Sequence, residues 1–342
     1  MNLRELSKML GLSQTTVSRA LNGFPEVNED TRERVLKAAR KTGYRPNRAA
    51  QRLATGKAGS IGLVMPITDT NHSDVHFGEF LAGVGEESAR HDMHLVIMPA
   101  GPDDEVAALN KLATSGNVDA LFIAHMRAQD PRLTILQTLG IPYIVHGRSY
   151  GVESNFPFID IDNEGAFRDA TKLLIQLGHK RFGLINGQAH LDFAIRRRAG
   201  VVAALGEHGL TLAADCEVQI QMTDENGQKA MENFLQQDQR PTAVLCSSTA
   251  LALGALRAVN RAGLKLGEDV SLIAHDDVLP LLKPENFSVP LTTTRSSLRA
   301  AGIRVAQRLV AAIEGPPSDP AQELWNVELI VRGSTGPAPS DT

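Results

Sequence analysis

"GLSQTTVSRALNG", residues 11–23, contains a turn glycine, a serine able to cap a helix, and a short helix with small hydroxylated residues and one arginine on its outer side. Ahead of it, Leu3, Leu6 and Leu10 recur at helical spacing, which predicts a helix over 3–10 that Gly11 stops. Ser13 then caps a helix over 14–21 whose Val17, Ala20 and Leu21 turn inward. Asn28 caps a third helix, with Glu29 and Asp30 in its first turn, Lys41 in its last and Gly43 as its stop. Helix, glycine turn and helix within about 20 residues is the spacing of a helix-turn-helix. On the second helix Thr15, Ser18 and Arg19 project opposite Val17 and Leu21, with Gln14 on the flank. Gln and Arg can bond adenine and guanine edges bidentately in the major groove, and Thr can touch a thymine methyl. An ordinary three-helix bundle with a solvated face is the competing reading.

Charge decides between the two. Residues 1–57 hold 12 Lys and Arg against 5 Asp and Glu, a net of +7; the remaining 285 hold 23 against 34, a net of −11. A basic head on an acidic body points to a polyanion partner for the head alone. The stretch "YRPNRAAQRLATGK" follows. Its 48–54 core is too short to be a stable helix alone in water and reads as a linker that orders on contact.

From Ser60 the texture changes. "SIGLVMP", "HLVIMPA", "VDALFIA" and "IPYIVHG" are short apolar strands separated by helical segments. After "FPFIDID" the alternation resumes with "RFGLING", "TAVLCSS" and "VSLIAHDD". Near-continuous apolar strands alternating with helices specify α/β architecture: doubly wound parallel sheets covered on both faces, here in two sets over roughly 60–160 and 162–289. "PLTTTRSS" and "LWNVELIVRG" flank a helix near 298–314 and can return the chain to each half. Two such lobes with crossovers between them make a cleft. The segment after Arg332 is rich in Gly, Pro and Ser and reads as a loose tail.

Several motifs are declined. "GVGEES" sits inside a helix rather than at a strand–helix turn, and "GK" at Gly56–Lys57 lacks the upstream glycine of a phosphate loop. "HDD" places adjacent residues on a strand, where alternate side chains diverge, so no metal set is read there. No GxSxG occurs, and no nucleophile has a base at a recognisable spacing, so neither catalysis nor a cofactor is expected. Cys216 and Cys246 read as buried reduced thiols. The first 20 residues lack the apolar run of a signal peptide, and no run approaches a membrane span, so a cytoplasmic protein is expected.

The stretch from "TTVSRALNGFPEV" through "YRPNRAAQRLATGKAGSIGLVMP" resembles the head and hinge of the lactose-repressor (LacI) family of bacterial transcription regulators. The likeness continues through "LGHKRFGLING", "ALGALRAV", "EDVSLIAHDD", "PLTTTR" and "ELIVRGST" and covers residues 2–335. It implies a helix-turn-helix head over 1–45, a hinge helix or linker over 46–58 and a two-lobed, periplasmic-binding-protein-like body over 59–335. The lobes are expected over 60–160 with 290–322 and over 161–289 with 323–335, leaving a loose tail over 336–342. It implies DNA contacts from Ser13, Gln14, Thr15, Thr16, Ser18, Arg19, Asn22, Tyr44, Asn47, Arg48 and Gln51, with Leu53 as a minor-groove wedge.

For the body the resemblance implies an effector sensor. Arg197 in "IRRRAG" and Asp276 in "AHDD" match the family's effector-binding arginine and aspartate, suited to clamping sugar hydroxyls. Two departures matter: Ser248 and Thr249 stand where many relatives have Asn-Asp, and His146 stands where relatives often carry aspartate. Asp74, Phe77, His125, Arg127, Arg148 and Phe193 complete the candidate effector set. "HGR", "DPR" and "SDVHF" resemble the branch that senses α-glucosides or related oligosaccharides. The implied partners are a pseudo-palindromic operator duplex, a small sugar and a second copy of the chain. A purine- or nucleoside-responsive corepressed regulator, a sugar-modifying enzyme with a regulatory head, and a transport binding protein are the alternatives.

Overall fold

Each of the three described helices of the head begins on a side-chain cap. The computed structural model describes residues 1–44, 56–67, 75–101, 103–153, 155–276, 279–315 and 321–340. Asn2 accepts from the Glu5 amide and Glu5 accepts from the Asn2 amide, a reciprocal box that opens α1, Leu3–Leu10. Ser13 Oγ accepts from the Thr16 amide at 3.0 Å and opens α2, Gln14–Leu21. Asn28 does the same for α3, Glu29–Thr42. Gly11 and Gly43 end α1 and α3 at φ 67° and 65°, a left-handed conformation costly for residues with a Cβ. Leu6, Val17, Ala20, Val27, Val35 and Ala39 close the small core. This head, residues 1–59, is one compact unit and residues 60–342 are another.

The body holds two six-stranded sheets. The first runs β11-β5-β4-β3-β1-β2, with β1 at Ser60–Pro66, β2 at His94–Ala100, β3 at Ala120–Ile123, β4 at Tyr143–His146, β5 at Phe158–Ile161 and β11 at Gln322–Trp325. The second runs β12-β10-β9-β8-β6-β7, with β6 at Phe182–Asn186, β7 at Glu217–Gln219, β8 at Ala243–Cys246, β9 at Ser271–His275, β10 at Thr292–Arg295 and β12 at Glu328–Ile330. Both are parallel apart from β12, which pairs antiparallel with β10. The inner strands β3, β6, β8 and β9 are buried throughout, as strands covered on both faces must be. The edge strand β2 is half exposed.

Helices pack against each other through glycines. In the first lobe α4, Val75–Arg90, lies on α11, Leu298–Glu314; a Cβ at Gly83 would strike the Arg299 carbonyl and one at Gly302 the Phe80 carbonyl. In the second lobe α7, Asn163–Gln176, meets α8, Asp192–Glu207, at Gly200. There too α9, Asp224–Leu235, meets α10, Thr249–Arg261, where a Cβ at Gly254 would strike the Asp224 carbonyl.

The returning strands differ from expectation. Thr292–Arg295, expected in the first lobe, adds to the second sheet beside β9. Residues 323–325, expected in the second lobe, belong to β11 and extend the first sheet beside β5. The helix between them packs on the first lobe, so the chain crosses between lobes three times, after β5, β10 and β11. The tail also differs from expectation as far as Ala338. Ser334 is fully buried, its hydroxyl donating to Leu272 O at 2.6 Å and accepting from the Thr292 amide at 2.7 Å. Gly336 accepts from Ser271 Oγ at 3.2 Å and lies 3.1 Å from His179 Nε2, and the Ala338 amide donates to Leu177 O. Glycines here serve close docking rather than looseness: a Cβ at Gly336 would strike the Gly267 carbonyl. Cys216 and Cys246 are buried and unbridged.

Candidate functional site

The outer face of α2 presents Gln14, Thr15 and Arg19 to solvent, opposite Val17 and Ala20 at 0% and 1% exposure. Ser13 and Thr16 are less available, because Ser13 Oγ caps the helix and lies 2.8 Å from Thr16 Oγ1. Ser18 and Asn22 are half-buried and bond weakly to each other at 3.4 Å. Tyr44 packs on the head's core and its amide donates to Ala39 O. Burial raises its phenol pKa. Asn47, Arg48, Gln51 and Leu53, with the expected hinge helix, fall outside the described residues, as does Asp74.

In the body the C-terminal ends of both sheets face one cavity of about 400 Å³, the position where open α/β sheets bind ligands. From the first lobe come residues 124–127 after β3, His146 and Gly147 after β4, Asp160 and Ile161, together with His76, Phe77 and Phe80 of α4. From the second come Gln188 and residues 190–193 after β6, 220–223 after β7, Ser247 after β8, and His275 and Asp276. Residues 296–298, leading from β10 into α11, line it as well. Of the residues singled out in the sequence, Phe77, His125, Arg127, His146, Phe193, Arg197 and Asp276 line this cavity.

Two expected residues do not line the cavity. Arg148 turns to Asp160, with Nε 2.8 Å from Oδ2. Ser248 is buried and spends its hydroxyl on the Leu251 amide, as the cap of α10. Its neighbour Ser247 lines the cavity instead.

Arg197 is a buried cation held by neutral partners. Its Nε donates to Asn163 Oδ1 at 2.8 Å and its Nη1 to Ser247 O at 2.7 Å. The guanidinium lies 4.7 Å from the Phe193 ring and 5.3 Å from that of Phe167. Burial pushes its pKa down to about 9, opposed by Asp276 and Asp160, so it stays charged at neutral pH. Asp276 sits at φ 75°, held by a bond from its amide to Thr294 O, and its Oδ2 is 4.0 Å from His76 Nε2 of the opposite lobe. His125 also takes a left-handed φ, 52°; such backbone strain concentrates at binding sites.

The aromatic wall is continuous. Phe77 packs on Phe80 and on His125, and His146 stacks on Phe80 at 4.4 Å. Burial, with the nearby His125, pushes the His146 pKa down to about 4. Burial, with Arg197 and His76, holds His275 well below the ordinary imidazole range. Both rings are neutral at physiological pH.

At the other end, sequence reading missed an ionic cluster. Glu105, in the first turn of α5, Glu105–Thr114, pairs with Arg127 through one oxygen and with Arg132 through the other. Arg132 also grips Asp130 at 2.6 Å and donates to the carbonyls of Ala124 and His125. Burial would raise the Asp130 pKa, but the bonds from Arg132 and from the Arg127 and Arg132 amides outweigh it and lower it. The loop so stiffened touches the second lobe directly. Ala128 N donates to His190 O at 3.1 Å, Asp192 N donates to Met126 O at 2.9 Å, and Arg127 pairs antiparallel with Leu191. Asn163, Ser247 and this clasp act through contacts between segments distant in sequence, which no local motif signals.

A basic helix-turn-helix head followed in the chain by a two-lobed body with a polar, aromatic-walled cleft is the organisation of a DNA-binding regulator. Residues 2–47 match the bacterial regulatory proteins of the lacI family, and residues 171–335 match the periplasmic binding protein-like domain. The chain is 65% identical over 338 residues, 99% of its length and 95% of the relative's, to the HTH-type transcriptional regulator AglR of Rhizobium meliloti (strain 1021). It is 33% identical over 347 residues, 99% of its length and all of the relative's, to the HTH-type transcriptional regulator RafR of Escherichia coli. Among solved structures it is similar to the complex of the transcriptional regulator CelR with cellobiose, at 27% identity and TM-score 0.72, covering 98% of this chain and 99% of that one. The chain belongs to the LacI family of bacterial transcriptional regulators, and its relatives are regulators rather than enzymes. Among the described residues no three His, Cys, Asp or Glu side chains are grouped to hold a metal ion, and no helix is long and apolar enough to cross a membrane.

Proposed function

We propose that this regulator represses genes of carbohydrate uptake or use, and that a neutral sugar in the interlobe cavity controls its affinity for the operator. The observation that carries this is the cavity itself. Arg197 is fixed by neutral partners and flanked by aromatic faces, Asp276 stands beside it, and the volume of about 400 Å³ is of ligand size. Planar faces suit the C–H side of a sugar ring, and charged donors and acceptors suit its hydroxyls. The solved CelR relative holds cellobiose. An α-glucoside or related oligosaccharide is the sugar this reading favours.

The mechanism follows from the parts. Two heads of a dimer read the half-sites of a pseudo-palindromic duplex through Gln14, Thr15 and Arg19. The effector favours one arrangement of the lobes, and operator affinity changes by its differential affinity for the two arrangements, commonly 1–3 kcal/mol.

The test starts from duplexes enriched from a random pool on the full-length protein. Disaccharides that raise its thermal midpoint are then added to the protein–DNA complex. Release of the duplex is the expected result, and Asp276→Ala should bind the duplex normally but ignore the sugar. Arg19→Ala should do the reverse. Release from Asp276→Ala equal to that from the unaltered protein removes Asp276 from the site, and a purine hit with every sugar silent overturns the effector class.

A further inference from the structure

The clasp between the lobes carries a carboxylate with an acceptor to spare. Asp192, the first residue of α8, is 2% exposed and lines the cavity. Its Oδ2 accepts from Arg196 Nε at 2.7 Å, one turn further along the same helix. Its Oδ1 is buried and meets no hydrogen-bond donor among the described residues. The Tyr150 amide is near enough to favour the ionised carboxylate but does not complete a bond to it.

Two other carboxylates of the cavity, Glu105 and Asp160, have both oxygens paired. Both oxygens of Glu105 pair with arginines, and Asp160 takes Arg148 on one oxygen and the Ile161 amide on the other. A buried acceptor without a donor retains its full desolvation cost, and a bound molecule that brings a donor removes it. A sugar hydroxyl is such a donor. A phosphate or carboxylate group, acceptor-only when ionised, is not. Asp192 also has a second connection: its own amide is the one tied to Met126 O of the opposite lobe.

We propose that Asp192 is a specificity-determining residue of the effector site, whose Oδ1 accepts a hydroxyl hydrogen from the sugar and so ties occupancy to the contact with Met126. This rests on the reading of the cavity as a sugar site. It also places a selective contact at the clasp.

The full-length protein and Asp192→Asn are titrated calorimetrically with maltose, trehalose, sucrose, adenosine and cytidine, and the thermal midpoint of each protein alone is recorded. Asparagine keeps the shape and an acceptor for Arg196 but replaces the second acceptor with a donor. A disaccharide that binds the unaltered protein should bind the variant about tenfold more weakly or worse, while the midpoint without sugar holds or rises. An affinity that holds within about twofold overturns the proposal, and so does a midpoint that falls by several degrees, the mark of a mere anchor for Arg196. A nucleoside bound in place of every disaccharide overturns the sugar reading. If Asp192→Asn weakens that nucleoside, Asp192 still faces the occupant; if it does not, both ideas fall.

Discussion

Arg197 keeps its charge inside the body because each cost of burial has a local answer: two neutral acceptors for its N–H groups, two ring faces, and the carboxylates of Asp276 and Asp160. His146 has no such answer and stays neutral, its pKa lowered from 6.5 to about 4 mainly by burial. The unfolded chain therefore takes up the proton first as pH falls. The stability the neutral ring contributes is complete above about pH 6.5 and is lost progressively toward pH 4. His146→Gln should flatten that part of the stability-against-pH curve, read by chemical denaturation at half-unit steps. At this scale the sequence shows what sits in a motif and hides what depends on a distant partner. Arg197 and Asp276 were legible. Ser248 was misread although its place before an apolar helical run is a capping signature, and Asp192 carries no motif at all.

Helix pairs set the next scale. Gly254 lies inside α10, where alanine would ordinarily add about 1 kcal/mol of stability. Here a Cβ would strike the Asp224 carbonyl of α9, so the two helices would have to part. Gly254→Ala should therefore destabilise by about 1–3 kcal/mol, the opposite sign to its propensity, as a lower thermal midpoint will show. The alternation of apolar strands with helices was plain in the sequence, because strands buried on both faces must be apolar throughout. The destination of β10 was not. Its core is three buried threonines, Thr292, Thr293 and Thr294, and composition does not say which sheet such a strand will join. The tail misled for a related reason: Gly and Ser mark close docking as readily as looseness, and only Ser334 in place between Leu272 and Thr292 decides which.

For the whole molecule the division of charge is the governing feature. The first 57 residues carry +7 and the rest −11, so the body repels the backbone that the head attracts. Operator affinity should fall steeply with salt, by about 10³–10⁵ between 50 and 200 mM if each head-pair makes 6–10 phosphate contacts. Affinity for the sugar proposed for the cavity should barely move over the same range, and fluorescence anisotropy with calorimetry on one preparation separates the two.

The three crossings of the chain also fix an order of events during synthesis. A ribosome delivers the head first and the strands that complete both sheets last. Until β10, β11 and β12 have emerged, β9 and β5 each present an open edge of the kind that pairs with neighbouring chains. Both sheets close only over residues 292–330, so a nascent chain that stalls near residue 290 leaves two unclosed sheets behind a head whose core is already complete. The step that closes both sheets therefore falls late in the chain, far in sequence from the helix-turn-helix.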